Sequence, residues 1–302
     1  MVICAAVGLA CAQSRTFELT DAGLEPKNAP APGTDAAVIG EARRLLAEGQ
    51  PGKATDILDT WIEANETSKS PYLPEAYLVR GDAIRADGDE YEALVNYEKI
   101  CKDYPASDVF VTALERELEV AQLYLGGLRK KSLGFLRIDT GVPHAEEIIT
   151  RINERLPGSK LAERALLALC DYYYTRRDLR GAAETYDVFL THFPRSASRQ
   201  KALQRRIYSN IAQFKGPSYD ASGLVEAQYQ IDRYRMEYPA DAERSGMGDA
   251  LSARLDESAA QQIWGVSEWY KRRGDPPGQR FALQRLVKKH PCLLYTSPSP
   301  RD

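Results

Sequence analysis

Several residue types and motifs that mark enzymes and nucleic-acid-binding proteins are scarce in this sequence. The 302 residues include 3 histidines, and 40 Lys and Arg against 43 Asp and Glu leave a net charge of −3. That balance lacks the basic excess that nucleic acid attracts. The sequence has no G-x-S-x-G, phosphate-binding loop, H-E-x-x-H or paired C-x-x-C motif. We therefore predict a protein that is not an enzyme, with no cofactor and no nucleic-acid partner.

Metal binding is also disfavoured. The nearest approach to a metal cluster is His144 with Glu146 and Glu147. A metal site needs three or four converging ligands, and no other ligand is spaced to join these. Acidic residues in the first turn of a helix complement the helix dipole, which gives these side chains a simpler role. We predict no metal site.

Long apolar runs and a disulfide pattern are missing as well. No apolar run reaches the ~20 residues that a membrane-spanning helix needs. Of the 5 cysteines, Cys4 and Cys11 lie in a short apolar segment at the start and Cys292 lies near the end. Cys101 and Cys170 remain, and we predict them to be small buried side chains rather than redox or metal-binding groups.

One segment of the chain occurs twice. Residues 178–194 (DLRGAAETYDVFLTHFP) align without gaps on residues 89–105 (DEYEALVNYEKICKDYP). The matched positions include Ala182 with Ala93, Tyr186 with Tyr97, Phe189 with Ile100, Phe193 with Tyr104 and Pro194 with Pro105. Small and aromatic residues spaced by four, followed by a proline twelve residues after the alanine, indicate one face of a helix that ends before its proline.

The same spacing, an alanine followed by a proline twelve residues later, recurs along the chain, and we call it the alanine-to-proline frame. Some copies lack the alanine or the proline. The alanine position of the frame falls at residues 54, 93, 145, 182, 227 and 279, with intervals of 39, 52, 37, 45 and 52 residues. Gly81, Ala93, Tyr97 and Pro105 stand at a spacing that resembles the tetratricopeptide repeat, in which a Gly–Ala contact lets two antiparallel helices pack closely. We predict an all-α fold, a right-handed superhelical solenoid of about six tetratricopeptide-like helix pairs over residues 35–291.

The periodicity and turn residues place the twelve helices of these pairs. The predicted pairs are 35–48 with 51–66, 74–86 with 90–104, 109–125 with 145–156, 160–176 with 180–193, 199–214 with 223–238, and 249–272 with 277–290. The third pair is interrupted by residues 128–143, where Arg and Lys alternate with apolar residues. This insertion either packs its apolar side chains on the flank of the solenoid or serves as a docking loop for a partner or membrane surface.

The two ends of the chain lie outside the predicted repeats. Residues 1–12 (MVICAAVGLACA) resemble the apolar part and cleavage site of a secretory signal. Gly8-Leu9-Ala10-Cys11 approximates a lipobox, which predicts acylation of Cys11; Ala10-Cys11-Ala12 alternatively fits ordinary signal peptidase. Residues 13–34 are predicted to be a disordered tether. Residues 292–302 (CLLYTSPSPRD) resemble a translated sequencing adapter and are expected to be an artefactual tail.

The tetratricopeptide resemblance also implies where a partner binds. The first (A) helices of such pairs line a concave surface, while the second (B) helices lie behind them. The implied groove residues of the second and fourth pairs are Leu78, Asp82, Arg85, Leu167, Asp171 and Tyr174. Apolar residues beside single charges suit an extended or helical peptide. The arginine pairs at 176–177 and 205–206 are expected to be solvated surface.

These features together resemble one family. The leader, the tether, the repeat pairs, the join at residues 156–164 (LPGSKLAER) and the segment that follows it are similar to the BamD-type lipoproteins of outer-membrane β-barrel assembly. The resemblance implies a periplasmic scaffold, anchored to the outer membrane only through its lipid, whose partners are the barrel-inserting subunit and unfolded outer-membrane proteins. The alternatives are a general cell-envelope or division scaffold with no role in barrel insertion, and an enzyme with an appended repeat domain.

Overall fold

The computed structural model describes residues 17–20, 23–26, 31, 33–132, 136–213, 222–247 and 249–291. Within these ranges the chain forms thirteen α-helices and two short hairpins. It divides into two compact units, residues 1–141 and 142–302. The predicted signal segment with Cys11 and the predicted tail 292–302 lie outside the described residues.

The first unit contains two complete helix pairs and the first helix of a third. Its elements are β1 (Phe17–Thr20), β2 (Gly23–Pro26), α1 (Asp35–Ala47), α2 (Pro51–Asn65), α3 (Leu73–Ala86), α4 (Glu90–Asp103), α5 (Phe110–Leu125), β3 (Arg129–Ser132) and β4 (Leu136–Thr140). Each helix packs on the next one along the chain, from α1 to α5.

The second unit is entirely helical in its described part. Its elements are α6 (Val142–Arg155), α7 (Lys160–Thr175), α8 (Leu179–His192), α9 (Arg199–Ala212), α10 (Ser222–Glu237), α11 (Pro239–Arg244), α12 (Asp249–Arg272) and α13 (Pro276–Lys289). The helices pack in sequence from α6 to α11, α10 also packs on α12, and α12 packs on α13.

The repeated alanine and the large residue four positions later form the cores of both units. The alanines at positions 54, 93, 145, 182 and 227 are fully buried, and the residues four positions on are at most 1% exposed: Leu58, Tyr97, Ile149, Tyr186 and Ile231. A small residue lets the partner helix approach closely, and the large residue then fills the space between them. The predicted all-α repeat fold is confirmed.

The turns between paired helices explain why the helix bounds were predictable. At three of them a residue with positive φ ends the first helix: Gly88 (φ 84°), Arg177 (φ 59°) and Gly274 (φ 68°). An aspartate follows each and caps the next helix by accepting a hydrogen bond from the backbone N–H three residues on: Asp89, Asp178 and Asp275. The same turn therefore joins each of these pairs.

Two short hairpins and one short helix were not predicted. The segment predicted as a disordered tether carries the antiparallel pair β1–β2, and the insertion at 128–143 carries β3–β4 with an irregular register between Lys130 and Lys131. Alternating apolar and polar residues in Phe17–Thr20 give the two-residue period of a strand. The six-residue α11 is too short for a periodic signal.

The inserted hairpin is held to α4 by its basic side chains. Lys130 places its ammonium 3.4 Å from the centre of the Tyr91 ring, and Lys131 lies 4.0 Å from the Asp89 carboxylate. Lys130 and Lys131 therefore take part in contacts within the unit. The apolar residues of the insertion fall mostly outside the described side chains, so both interpretations of the insertion stay predictions.

Candidate partner-binding site

The predicted groove residues of the fourth pair lie in a cluster that joins α7, α8 and α9. The carboxylate of Asp171 accepts hydrogen bonds from the Tyr186 hydroxyl (2.8 Å), from Nζ of Lys201 (2.9 Å) and from the guanidinium of Arg205. The same guanidinium lies 4.8 Å from the centre of the Tyr174 ring. We call this group the second cluster: Asp171, Tyr174, Tyr186, Lys201 and Arg205.

The predicted residues of the second pair form an equivalent first cluster between α3, α4 and α5. Asp82 accepts hydrogen bonds from the Tyr97 hydroxyl (2.8 Å) and from Nε of Arg116 (2.9 Å). Arg85 pairs with Glu119, which also accepts a 2.9 Å hydrogen bond from Arg116. The first cluster comprises Asp82, Arg85, Tyr97, Arg116 and Glu119.

The two clusters share one spacing. In each, the tyrosine stands 15 residues and the arginine 34 residues after the aspartate. The aspartate comes from an A helix, the tyrosine from its B partner and the arginine from the next A helix. One carboxylate therefore ties three consecutive helices together, and we call this arrangement the Asp–Tyr–Arg tie.

Burial and hydrogen bonding shift the pKa values of the tied groups. Burial raises the pKa of Tyr97 and Tyr186 well above that of free tyrosine, so both hydroxyls stay protonated and donate. Burial alone would also raise the pKa of Asp171, but the hydrogen bonds from Lys201 and Tyr186 lower it below its ordinary value. Asp171 is therefore held as a carboxylate.

The charge of the two clusters differs. In the first, Arg85 and Arg116 face Asp82 and Glu119, so the charges balance. In the second, Lys201 and Arg205 both pair with Asp171, which leaves one positive charge in excess. The Lys201 side chain is 46% exposed. A ligand carboxylate therefore finds a partly accessible cation in the second cluster, next to the Tyr174 ring.

The six predicted groove residues fall into three kinds of position. Asp82 and Arg85 come together in the first cluster, and Asp171 and Tyr174 in the second, all held by contacts within the protein. Leu167 is half-buried, while Leu78 is buried and offers little surface to a ligand. Their role in partner binding stays a prediction.

The cationic partners of the clusters were missed in the sequence. Arg116, Lys201 and Arg205 lie on the A helices that follow, and the aligned segments stop before those helices. In the register that aligns Ala182 with Ala93, Arg205 aligns with Arg116. Extending the alignment beyond the two segments would therefore have found both arginines. The expectation that 205–206 is solvated surface is wrong, because Arg205 binds Asp171 and Arg206 joins Asp187 of α8 to Glu226 of α10.

The remaining conspicuous side chains are also engaged. Cys101 and Cys170 are buried, as predicted. The Tyr173 hydroxyl donates to Glu146, and His290 lies 2.7 Å from Asp256 through Nδ1. In the described part of the chain, no helix is long and apolar enough to cross a membrane.

The fold and its clusters define a helical-repeat protein, in which two charged ties each join three consecutive helices. The chain belongs to the YfiO family, described as outer membrane lipoprotein, whose profile matches residues 139–291, just over half of the sequence. The predicted kinship with BamD-type lipoproteins is thereby confirmed. A search of curated proteins gave no match.

Proposed function

We propose that this protein is a periplasmic scaffold of outer-membrane β-barrel assembly, which binds segments of the barrel-inserting subunit and of unfolded outer-membrane proteins. Membership of an outer membrane lipoprotein family supports the setting. The observation that carries the binding role is the second cluster, with its excess positive charge beside the ring of Tyr174.

The chemistry of that cluster favours a peptide with a carboxylate. Lys201 and Arg205 share a single carboxylate, so both retain donor capacity for a second one. The Tyr174 ring is fixed from two sides, by Arg205 and by the edge of Tyr186 at 6.4 Å between ring centres. A fixed aromatic ring binds an apolar side chain at low entropic cost.

A peptide-binding experiment tests this proposal. The probes are a C-terminal peptide of an outer-membrane β-barrel protein with its free carboxylate, and the same peptide amidated. We expect Lys201→Glu and Tyr174→Ala each to weaken binding of the free-acid peptide by about tenfold or more, as typical interface anchors do. Amidation should weaken binding to the unaltered protein but make little difference in Lys201→Glu.

Lys160→Glu is the matched control, because this lysine side chain is 90% exposed at the start of α7. It makes the same charge change away from the cluster and should leave affinity unchanged. Equal binding of the acid and amide peptides would remove the carboxylate from the proposal. No binding by the unaltered protein would favour the general envelope scaffold instead.

We further propose export and acylation at Cys11, from the sequence of residues 1–12 and the lipoprotein family. Metabolic labelling with palmitate should mark the unaltered protein and not Cys11→Ser. Retained label in the serine variant would contradict acylation at this residue.

A further inference from the structure

A cleft in the second unit lies between helices α8 and α10, with α9 as its floor. Helix α9 packs on both of them, and the cleft holds about 330 Å³. Ligand pockets in proteins run from about 300 to 1,000 Å³, so this space suits a few side chains of a bound segment. The three helices have described helices before and after them in the chain. The cleft is therefore an internal feature of the row of helices.

Helix α9 presents basic residues on two of its faces. One face carries Lys201 and Arg205, which belong to the second cluster. The other carries Arg199, Leu203 and Arg206, which stand four and three residues apart and all line the cleft. The same helix therefore contributes to two separate surfaces, one beside α7 and one between α8 and α10.

Two arginines of α9 hold the walls of the cleft in place. Arg206 lies 3.0 Å from Asp187 of α8 and 3.1 Å from Glu226 of α10. Arg199 donates two hydrogen bonds to the carboxylate of Glu237 on α10, at 3.1 and 3.2 Å, and they lower the pKa of Glu237. Both arginines are therefore engaged within the protein, and a ligand meets a cleft whose walls are tied to its floor.

Arg233 is the cation of the cleft that a ligand can reach. It lines the cleft from α10, it is exposed, and it makes no ion pair with the residues that the structure describes. Its guanidinium lies 5.9 Å from the centre of the Tyr229 ring, four residues earlier on the same helix. An arginine beside a ring keeps its N–H groups for a carboxylate, which it binds through two parallel hydrogen bonds. The cleft therefore offers a positioned donor for one carboxylate.

Exposed apolar side chains lie beside Arg233. On α10, Tyr229 is 59% exposed and Met236 is 84% exposed. Tyr229, Arg233 and Met236 stand four and three residues apart, so they share one face of the helix. Aromatic residues, methionine and arginine are the types enriched in protein–protein interfaces. We call the cleft together with these three residues the α10 site.

From these observations we propose that the α10 site binds an extended acidic segment of a partner protein. A glutamate or aspartate of the segment pairs with Arg233, and a neighbouring apolar side chain enters the cleft above Leu190 and Leu203. The residues that follow contact Tyr229 and Met236. A cleft of about 330 Å³ admits single side chains of an extended chain rather than a whole helix, which is about 10 Å across. The site shares no residue with the second cluster and stands independently of the function proposed above.

Two designed peptides test the role of the carboxylate. Both are eight residues long with blocked ends, and one repeats leucine, glutamate and proline, because proline keeps the chain extended. The other has glutamine in place of each glutamate. With fluorescently labelled peptides and the full chain, anisotropy should show the glutamate peptide binding at least tenfold tighter than the glutamine peptide. Equal affinity of the two peptides, or no binding of the glutamate peptide, would overturn the proposal.

Substitutions at Arg233 locate the site. Arg233→Gln removes the charge and Arg233→Glu reverses it, and each should weaken the glutamate peptide at least tenfold, with helicity unchanged by circular dichroism. Arg176→Glu is the matched control, because this exposed arginine lies 5.8 Å from the ring of Tyr172, also four residues earlier, at the end of α7. It should leave binding unchanged. Full affinity in both Arg233 variants would contradict the proposed site.

Lys201→Glu separates the α10 site from the second cluster. The glutamate peptide should bind this variant as tightly as it binds the unaltered protein. Weakened binding in Lys201→Glu together with full affinity in Arg233→Gln would assign the peptide to the second cluster and overturn the proposal. Self-association of the protein that Arg233→Glu abolishes would also overturn it, in favour of a second copy as the occupant.

Discussion

Tyr97 and Tyr186 each combine a fully buried ring with a polar atom that has one required partner. A buried hydroxyl without a hydrogen bond costs about 1–3 kcal/mol, so the aspartate that accepts from it is fixed as well. Both hydroxyls donate to an aspartate 2.8 Å away on the paired helix. These two residues therefore set the rotation of the helices around them, which apolar packing alone leaves less restricted.

The ring of Tyr97 also makes Gly81 necessary. A Cβ atom at position 81 would lie 2.5 Å from Cε1 of Tyr97. We expect Gly81→Ala to lower the free energy of unfolding, because overpacking costs about 1–3 kcal/mol and outweighs the gain in helix propensity of about 1 kcal/mol. Urea unfolding measures the change.

Gly40→Ala is the control, and it should change the free energy of unfolding in the opposite direction. Gly40 lies within α1 and no atom lies within 4 Å of its added Cβ. This substitution should raise the free energy of unfolding by up to about 1 kcal/mol. A stabilised Gly81→Ala protein would show that the Tyr97 ring can move aside.

Arg177 occupies a position that glycine fills in two equivalent turns. Its φ of 59° is left-handed, which costs an L-residue about 1–2 kcal/mol. Glycine removes that strain and adds about 0.5–1 kcal/mol of backbone entropy loss on folding. Arg177→Gly should therefore stabilise the protein by about 0.5–1 kcal/mol, measured by thermal or urea unfolding.

The reverse change tests the same argument. Gly274 has φ of 68° and open space around its added Cβ, so Gly274→Ala introduces backbone strain alone. It should destabilise the protein by a similar amount. If both substitutions left stability unchanged, strain at this turn would be too small to matter.

At the scale of elements, the Asp–Tyr–Arg tie links the second helix pair to α5 and the fourth helix pair to α9. Because the pKa of Asp171 is lowered on folding, the folded state binds its proton less readily than the unfolded chain does. The stabilising contribution is then fully present above the ordinary aspartate pKa of 3.8 and is lost as the pH falls below it. Urea midpoints between pH 6 and pH 3 should drop in the unaltered protein.

Asp171→Asn should remove this part of the acid sensitivity. The difference in stability between the unaltered protein and the variant should be largest near pH 6 and shrink toward pH 3. Asp56→Asn, at an exposed position on α2, is the control and should follow the unaltered protein. A constant difference across the whole pH range would mean that Asp171 contributes through packing rather than charge.

Elements whose signals are local were predictable, and those that depend on distant partners were not. The helices followed from the alanine-to-proline frame and the turn residues, which are signals that lie close together in the sequence. The ties were missed because their arginines stand 34 residues from their aspartates, on helices beyond the aligned segments.

At the scale of the whole molecule, the helical content follows from repeats that contact their neighbours along the chain. We expect circular dichroism of residues 35–291 to show a strongly helical spectrum, with only a minor strand contribution from β3 and β4. A large β component would contradict the repeat fold.

The two buried thiols provide a chemical probe of local opening in each unit. Cys101 lies in the first unit and Cys170 in the second, and burial raises the pKa of the Cys170 thiol, so neither reacts readily while its helices stay closed. Alkylation at each cysteine, followed by peptide mass spectrometry, should therefore proceed only as fast as the surrounding helices open. The ratio of the two alkylation rates would show which unit opens more often. Repeating the measurement with bound peptide would show whether the peptide slows opening in one unit and not in the other.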